Sequence, residues 1–212
     1  MCNLYRQDVS QSKITSFLEP SQLRLSENAR GRNVEAGYVG ADQDGPVLVN
    51  AGDGRLDIVT KRWGFPAIRD GAKPITNIRN LESSWWKGAN GEYIREPEYR
   101  CLVPFAAFHR EEKGNAWFEV NSDAPMFAGV WRPWNGERLT EVAGKKRRQR
   151  QVHDWNLYAF LTTEPNAVVA PIHPKAMPVI LTTPEECERW MGGGEESLDL
   201  QRPLADNMVI LG

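Results

Sequence analysis

Short apolar segments, each closed off by turn-forming residues, recur along the chain, and they limit the fold more than any other feature of the sequence. Segments this short, rich in β-branched and aromatic residues, read as strands rather than helices. Residues 47–49 and 56–59 form one such pair, with Ala51-Gly52-Asp53-Gly54 as a hairpin turn between them. Trp63-Gly64-Phe65-Pro66 closes off the second strand. Arg100-Cys101-Leu102-Val103-Pro104, Ala116-Trp117-Phe118-Glu119-Val120, residues 126–131, the strongly apolar stretch 155–162 and Pro178-Val179-Ile180-Leu181 continue the series, and residues 2–5 read as a strand at the start. Helices are few. Ile14, Phe17 and Leu18 give one amphipathic face over residues 11–18, with Ser10 as cap and Pro20 beyond the end. Thr183 as N-cap, Pro184 at the first position and Glu185 and Glu186 in the first turn open a helix through Trp190. Residues 84–87 read as a helical turn, and 166–170 as a short helix or turn. Residues 19–45 read as a long polar loop with a weak helix at 21–28. No repeat or linker divides the chain. The expectation is one α+β domain over 1–212, a curled, barrel-like and mainly antiparallel sheet flanked by short helices.

Composition narrows the function. No apolar run approaches the ~20 residues of a membrane span, and no charged segment followed by an apolar stretch marks a secretory signal. A cytoplasmic protein without a membrane partner is expected. Cys2, Cys101 and Cys187 are widely spaced and odd in number, so they suggest neither a disulfide framework nor a metal site, and no cofactor is implied. A formal charge of −2 argues against coating duplex DNA by bulk electrostatics. It leaves room for a local basic groove, and residues 145–150, basic apart from Gln149, read either as a solvated loop or as a phosphate contact. Eight Trp residues supply faces for base stacking, although the core is the ordinary home for them.

Three groups of residues carry chemistry: Cys2, the histidines, and the pair Asn77 and Arg79. Removal of Met1 leaves Cys2 with an α-amine and a thiol on adjacent carbons. These titrate near ~8 and ~8.5, so a useful fraction of each is nucleophilic at neutral pH. The amine forms a Schiff base with an aldehyde, and the thiol closes onto the imine to give a five-membered thiazolidine. His173 stands between Pro171 and Pro174, which fix its backbone; His109 sits beside Arg110, Glu111 and Glu112, and His153 among polar residues. Asn77 and Arg79 alternate in an extended segment and therefore point to one face, as a pair for a substrate oxygen and a phosphate or as an exposed polar edge.

Several blocks, in order, resemble the SOS response-associated peptidase (SRAP) family. They are Met1-Cys2-Asn3-Leu4-Tyr5, Arg62-Trp63-Gly64-Phe65-Pro66, Thr76-Asn77-Ile78-Arg79-Asn80, Arg100-Cys101-Leu102-Val103-Pro104, Phe127-Ala128-Gly129-Val130-Trp131, Thr162-Thr163-Glu164-Pro165-Asn166, and Ile172-His173-Pro174-Lys175-Ala176-Met177-Pro178. The resemblance spans nearly the whole chain. It implies a protein of the DNA damage response that binds single-stranded DNA or single-strand/duplex junctions and shields abasic sites by a covalent crosslink, with possible lyase-type or autopeptidase activity. It implies a monomer that joins the bacterial nucleoid when bound to DNA. By the same resemblance Cys2 is the nucleophile, Asn77 the hydrogen-bonding residue around the sugar, His173 the assistant in Schiff-base formation and reversal, and Arg79 the phosphate contact. Trp63 and Gly64 line the bound strand, and Lys175 lies near a DNA contact.

One position departs from the family. The Glu that shuttles protons there, counted from Pro104, is Arg110 in this chain, and Glu111 follows one place later. A one-residue bulge would bring Glu111 into the site; otherwise Glu112 or Glu82 stands in, or the acid is absent and the chemistry loses a factor of ~10²–10⁴. Asn3 also replaces the common Gly after Cys2. Two other readings stay open: an N-terminal-Cys thiol peptidase with Cys2 and His173 as nucleophile and base, and a non-catalytic single-strand-binding module.

Overall fold

The computed structural model describes residues 2–29, 34, 36–67, 69, 72–88, 90–110, 116–140 and 147–212, with the backbone alone for Arg110. In chain order the strands are β1 (Leu4–Gln7), β2 (Arg24–Leu25), β3 (Gly37–Gly40), β4 (Asp44–Gly52), β5 (Arg55–Trp63), β6 (Asn77–Ile78), β7 (Arg100–Pro104), β8 (Ala107–Arg110), β9 (Ala116–Val120), β10 (Met126–Thr140), β11 (Gln149–Thr163), β12 (Met177–Pro178), β13 (Ile180–Leu181) and β14 (Val209–Leu211). The α-helices are α1 (Gln11–Leu18), α2 (Ser84–Lys87), α3 (Gly91–Arg95) and α4 (Pro184–Met191).

Strands β4, β5, β11, β10 and β7 close into a barrel. Four of its seams are antiparallel. The fifth is parallel and joins Arg62 and Trp63 of β5 to Leu157 and Tyr158 of β11. The second sheet, in the order β14-β9-β8-β1-β3, is antiparallel throughout. This is the curled, barrel-like α+β domain expected from the pattern of short strands.

Alternation along the barrel strands divides the core in two. Val47, Cys101, Val103, Phe127, Tyr158 and Phe160 pack with Tyr5, Phe108 and Phe118 of the second sheet. Leu48, Ile58, Leu102, Ala128, Leu157 and Leu161 pack with Ile14 and Leu18 of α1 and Trp190 of α4. Both helices begin where their caps place them: Ser10 Oγ accepts from Lys13 N–H, and Thr183 Oγ1 from Glu186 N–H.

Two expectations need correction. Residues 21–28 hold no helix. Leu23 and Leu25 are buried on either side of exposed Arg24, a period of two, and β2 pairs in parallel with β5. Ser21 Oγ also accepts from Leu23 N–H, a local bond that competes with helix formation. The polar stretch 19–45 also carries β3, an edge strand that depends on β1 for its hydrogen bonds.

The strands read at 126–131 and 155–162 continue past their apolar parts into a two-stranded ribbon of residues 132–140 and 149–156. Its exposed polar residues give no burial signal, and the register rests on cross-strand pairs such as Trp134 with Trp155. Of the basic segment, Gln149 and Arg150 open β11, and Lys145 and Lys146 lie outside the described residues.

Candidate active site

Cys2 lies just before β1 and is wholly buried, its thiol donating to Leu4 O at 3.4 Å. Strand β1 is held between β3 and β8, with Tyr5 opposite Val39 on one side and Phe108 on the other. Below Cys2, the hydroxyls of Tyr5 and Tyr158 share a buried 2.7 Å hydrogen bond. Burial pushes both phenols upward, so they stay protonated across the physiological range.

Asn77 reaches Cys2 from the barrel. Strand β6 runs parallel to β11 with Asn77 level with Phe160, and Asn77 is buried there. Its Nδ2 donates to Cys2 O at 2.9 Å and to Thr76 Oγ1 at 2.6 Å. Two acceptors occupy the two amide hydrogens and fix the amide plane. The reverse orientation would set Oδ1 against the Cys2 carbonyl, acceptor against acceptor. In the orientation observed, Oδ1 is buried and has no hydrogen-bond partner among the described residues. A buried polar atom left this way costs about 1–3 kcal/mol, so the site holds a ready acceptor beside Cys2.

Thr76 is clamped in turn. Its carbonyl accepts from Trp63 Nε1 at 3.0 Å. The Trp63 ring stacks on Phe160 and Tyr158, with centroids 5.0 and 6.4 Å away, and meets Tyr5 edge-on. The expectation that Trp63 lines a bound strand is therefore corrected for its ring, which is 0% exposed. Aromatic packing holds it inside, and it supports Thr76 and Asn77 from below. Gly64 is buried with a φ of 126°. Its N–H donates to Tyr158 O and its carbonyl accepts from Arg138 Nη2, each at 2.7 Å.

His173 is 1% exposed. Its N–H donates to Val169 O at 2.8 Å, and its Nδ1 accepts from Ala176 N–H at 3.1 Å. That acceptor role puts the proton of the neutral ring on Nε2. Asn166 builds the turn beneath it: Oδ1 accepts from Val169 N–H, and Nδ2 donates to Leu204 O, both at 3.0 Å. Val169 and Met177, on either side of His173, join the apolar cluster that contains Cys2, Trp63 and Phe160. The structure thus brings Cys2 and Asn77 into direct contact and packs the His173 turn into the same cluster.

The cations lie outside this buried group. Arg79 follows β6 and is exposed, its carbonyl accepting from Gln201 Nε2 at 2.9 Å. Near it the Glu164 carboxyl is held below the usual carboxylate range by its own backbone N–H, by the Thr163 hydroxyl and by the Arg79 charge. Lys175 is exposed two residues after His173. Glu111 and Glu112 lie outside the described residues. Strand β8 runs antiparallel to β1, so its last residue, Arg110, sits at the end of the sheet where Cys2 enters. Glu82 is exposed and pairs with Lys87. His109 is buried against Trp117, and His153 is exposed beside Gln151.

Sequence reasoning missed Thr76 and Asn166, although both stand in the motif blocks. A hydroxyl next to a buried amide was the available signal for Thr76.

A family model described as SOS response associated peptidase (SRAP) matches residues 1–209. A search of curated proteins finds no match. Among solved structures, a Bordetella bronchiseptica protein superposes with a TM-score of 0.69 at 16% identity, covering 100% of this chain and 98% of its own. A Bacteroides thetaiotaomicron protein gives 0.65 at 18% identity, covering 99% and 90%. A phage-related protein of Bordetella bronchiseptica gives 0.62 at 15% identity, covering 100% and 93%. These likenesses concern the fold.

Proposed function

The chain belongs to the SOS response associated peptidase family, with the DNA-damage association that membership carries, and from that premise we propose that it crosslinks itself to abasic sites in single-stranded DNA through Cys2. The observation that carries this reading is the Asn77 amide, which grips the Cys2 carbonyl and keeps Oδ1 as a buried acceptor without a partner among the described residues. An acceptor there suits a donor on the α-amine of mature Cys2 or on the sugar of the lesion.

In the proposed reaction the α-amine adds to the aldehyde carbon of the ring-opened sugar. Loss of one water gives an imine. The thiol sulfur then bonds to the imine carbon, its proton passes to nitrogen, and a thiazolidine closes. The bonded product equals protein plus DNA minus one water. Asn77 holds the main chain of Cys2 while its amine reacts. His173 donates a hydrogen bond from Nε2 to the departing oxygen, which leaves as water with the proton shed by the amine nitrogen, and it serves the same oxygen in reversal. Arg79 and Lys175 hold phosphates, which fixes the strand without reading its sequence. Aldehyde capture by an amine and thiol on adjacent carbons needs neither metal nor cofactor.

The test is incubation of protein whose mass shows Met1 removed with a single strand carrying one abasic site, followed by a denaturing gel and intact mass. A heat-stable adduct at the mass of the two components minus water is expected. Cys2→Ala keeps an N-terminal amine, so it is expected to give only an imine, visible after borohydride trapping and lost without it. Absence of any heat-stable adduct with the wild-type protein would falsify the reading.

A further inference from the structure

A concave site lies next to the segments that hold Cys2, and the crosslinking chemistry makes no use of it. Asp42, Arg69, Trp134, Glu137, Arg138 and Arg150 line a cleft of about 450 Å³ at the base of the β10–β11 ribbon. Two short hydrogen-bonded routes, one through the main chain and one through a side chain, tie the cleft to the Cys2 site. Ala41, next to Asp42, donates to Asn3 O at 3.2 Å. Arg138 donates to Gly64 O, one residue from the Trp63 that supports Thr76.

Arginines gather there on one carboxylate. Asp42 accepts from Arg62 Nε at 2.9 Å, Arg138 Nη1 at 2.8 Å and Arg148 Nη2 at 3.1 Å. Burial raises its carboxyl, but Arg62 and Arg138 more than offset this and hold it below the usual range. One buried guanidinium would satisfy such a carboxylate. Arg150 pairs with Glu137 at 2.9 Å, and Arg69 is exposed. Among the described residues, Arg69, Arg138 and Arg150 line the cleft beside Asp42 and Glu137, and Arg62 and Arg148 join them on Asp42, in a chain whose net charge is −2.

An aromatic face accompanies this charge. Trp134 is partly buried and lies against the Arg138 guanidinium at 5.3 Å. It lies across position 136, where a Cβ would collide with its ring, so Gly136 is what admits it. Excess arginine beside a stacking ring is the chemistry that holds a nucleotide unit of a single strand, phosphate on the guanidinium and base on the ring.

We propose that this cleft is a nucleotide subsite that seats a flanking phosphate and base of the strand whose abasic sugar reaches Cys2. The identity of the strand rests on the crosslinking reading; affinity for single-stranded DNA does not. The probe is therefore a fluorescein-labelled single strand with no abasic site, measured by anisotropy at several salt concentrations. Arg148→Gln/Arg150→Gln is expected to bind about tenfold more weakly and to flatten the salt dependence by about 0.7 for each phosphate that is no longer neutralised. Trp134→Ala is expected to weaken binding about tenfold with the salt dependence unchanged. Arg189→Gln removes an exposed arginine from α4, away from the cleft, and is expected to bind like wild type. Thermal melts establish that each variant is folded.

Arg148→Gln/Arg150→Gln matching Arg189→Gln in both affinity and salt slope would overturn the subsite. A wild-type adduct with cleft variants that bind normally leaves the crosslinking reading and removes the subsite. Weakened cleft variants without a wild-type adduct do the reverse.

Discussion

At the residue scale, the site depends on one amide being held in one orientation. Asn77 was legible in the sequence as a polar residue in an extended segment, but its partner was not, because β6 reaches Cys2 only through the parallel seam with β11. The hydroxyl of Thr76 takes one of the two amide hydrogens. Thr76→Val keeps the shape and removes that acceptor. The amide is then free to rotate, and Oδ1 no longer waits beside Cys2. The expected result is a crosslinking rate about ten- to a hundredfold lower, the scale of a misplaced reacting geometry, with affinity for a strand lacking an abasic site unchanged. Thr76→Ser should restore the rate. A loss of binding equal to the loss of rate would instead assign Thr76 to general packing. The Glu111 alternative was open in the sequence because a bulge changes which side chain faces inward, and a one-residue shift leaves no mark on composition.

Elements marked by a sustained apolar run or by capping residues were legible, and short or polar ones were not. Strands β7 and β9, helix α1 and the cap of α4 stand where the apolar pattern and the capping residues set them. The outer ribbon of β10 and β11, edge strand β3 and strand β14 were missed, since their stability comes from pairing with partners remote in sequence. The place of the Trp63 ring was not legible either: the family resemblance set it along a bound strand, an aromatic residue at a strand end fits a stacking surface and a core equally well, and the β5–β11 seam puts the ring in the core. The turn after β5 supports a direct test. Gly64 has a φ of 126°, and a Cβ there would come 2.7 Å from Pro74 Cβ. Gly64→Ala therefore suffers both an unfavourable backbone and a clash, and its Arg138 and Tyr158 hydrogen bonds oppose relaxation. Urea unfolding is expected to show a loss of about 1–3 kcal/mol or more. A loss within experimental error would mean that the turn adopts another conformation.

For the whole molecule, the barrel buries a charge that no sequence pattern marks as internal. Lys61 follows the apolar part of β5 and reads as its polar end, yet it is 7% exposed. Its Nζ lies 3.4 Å from the centre of the Trp131 ring, a cation–π contact that recovers part of the desolvation. Burial lowers the amine to about 8, opposed by the nearby Cys101 thiol. Burial also drives the Cys101 thiol up to about 12 despite the pull of Lys61 and Arg100. An unfolded lysine titrates near ~10.4. Below pH 8 both states carry the proton, and the folded state bears the full cost of burying it. Between about pH 8 and 10.4 the unfolded chain still holds a proton that the folded chain has released, so stability contributed by this residue rises with pH. Lys61→Met keeps the apolar length without the charge. It is expected to stabilise the protein at pH 7 by on the order of 1 kcal/mol. That advantage should shrink as pH rises through the window, because the wild type sheds its penalty there. Other groups titrate in the same range, so the informative quantity is the difference between the two denaturation curves at each pH. A difference that stays flat from pH 7 to 10.4 would show that the Lys61 amine keeps an ordinary affinity for its proton inside the barrel.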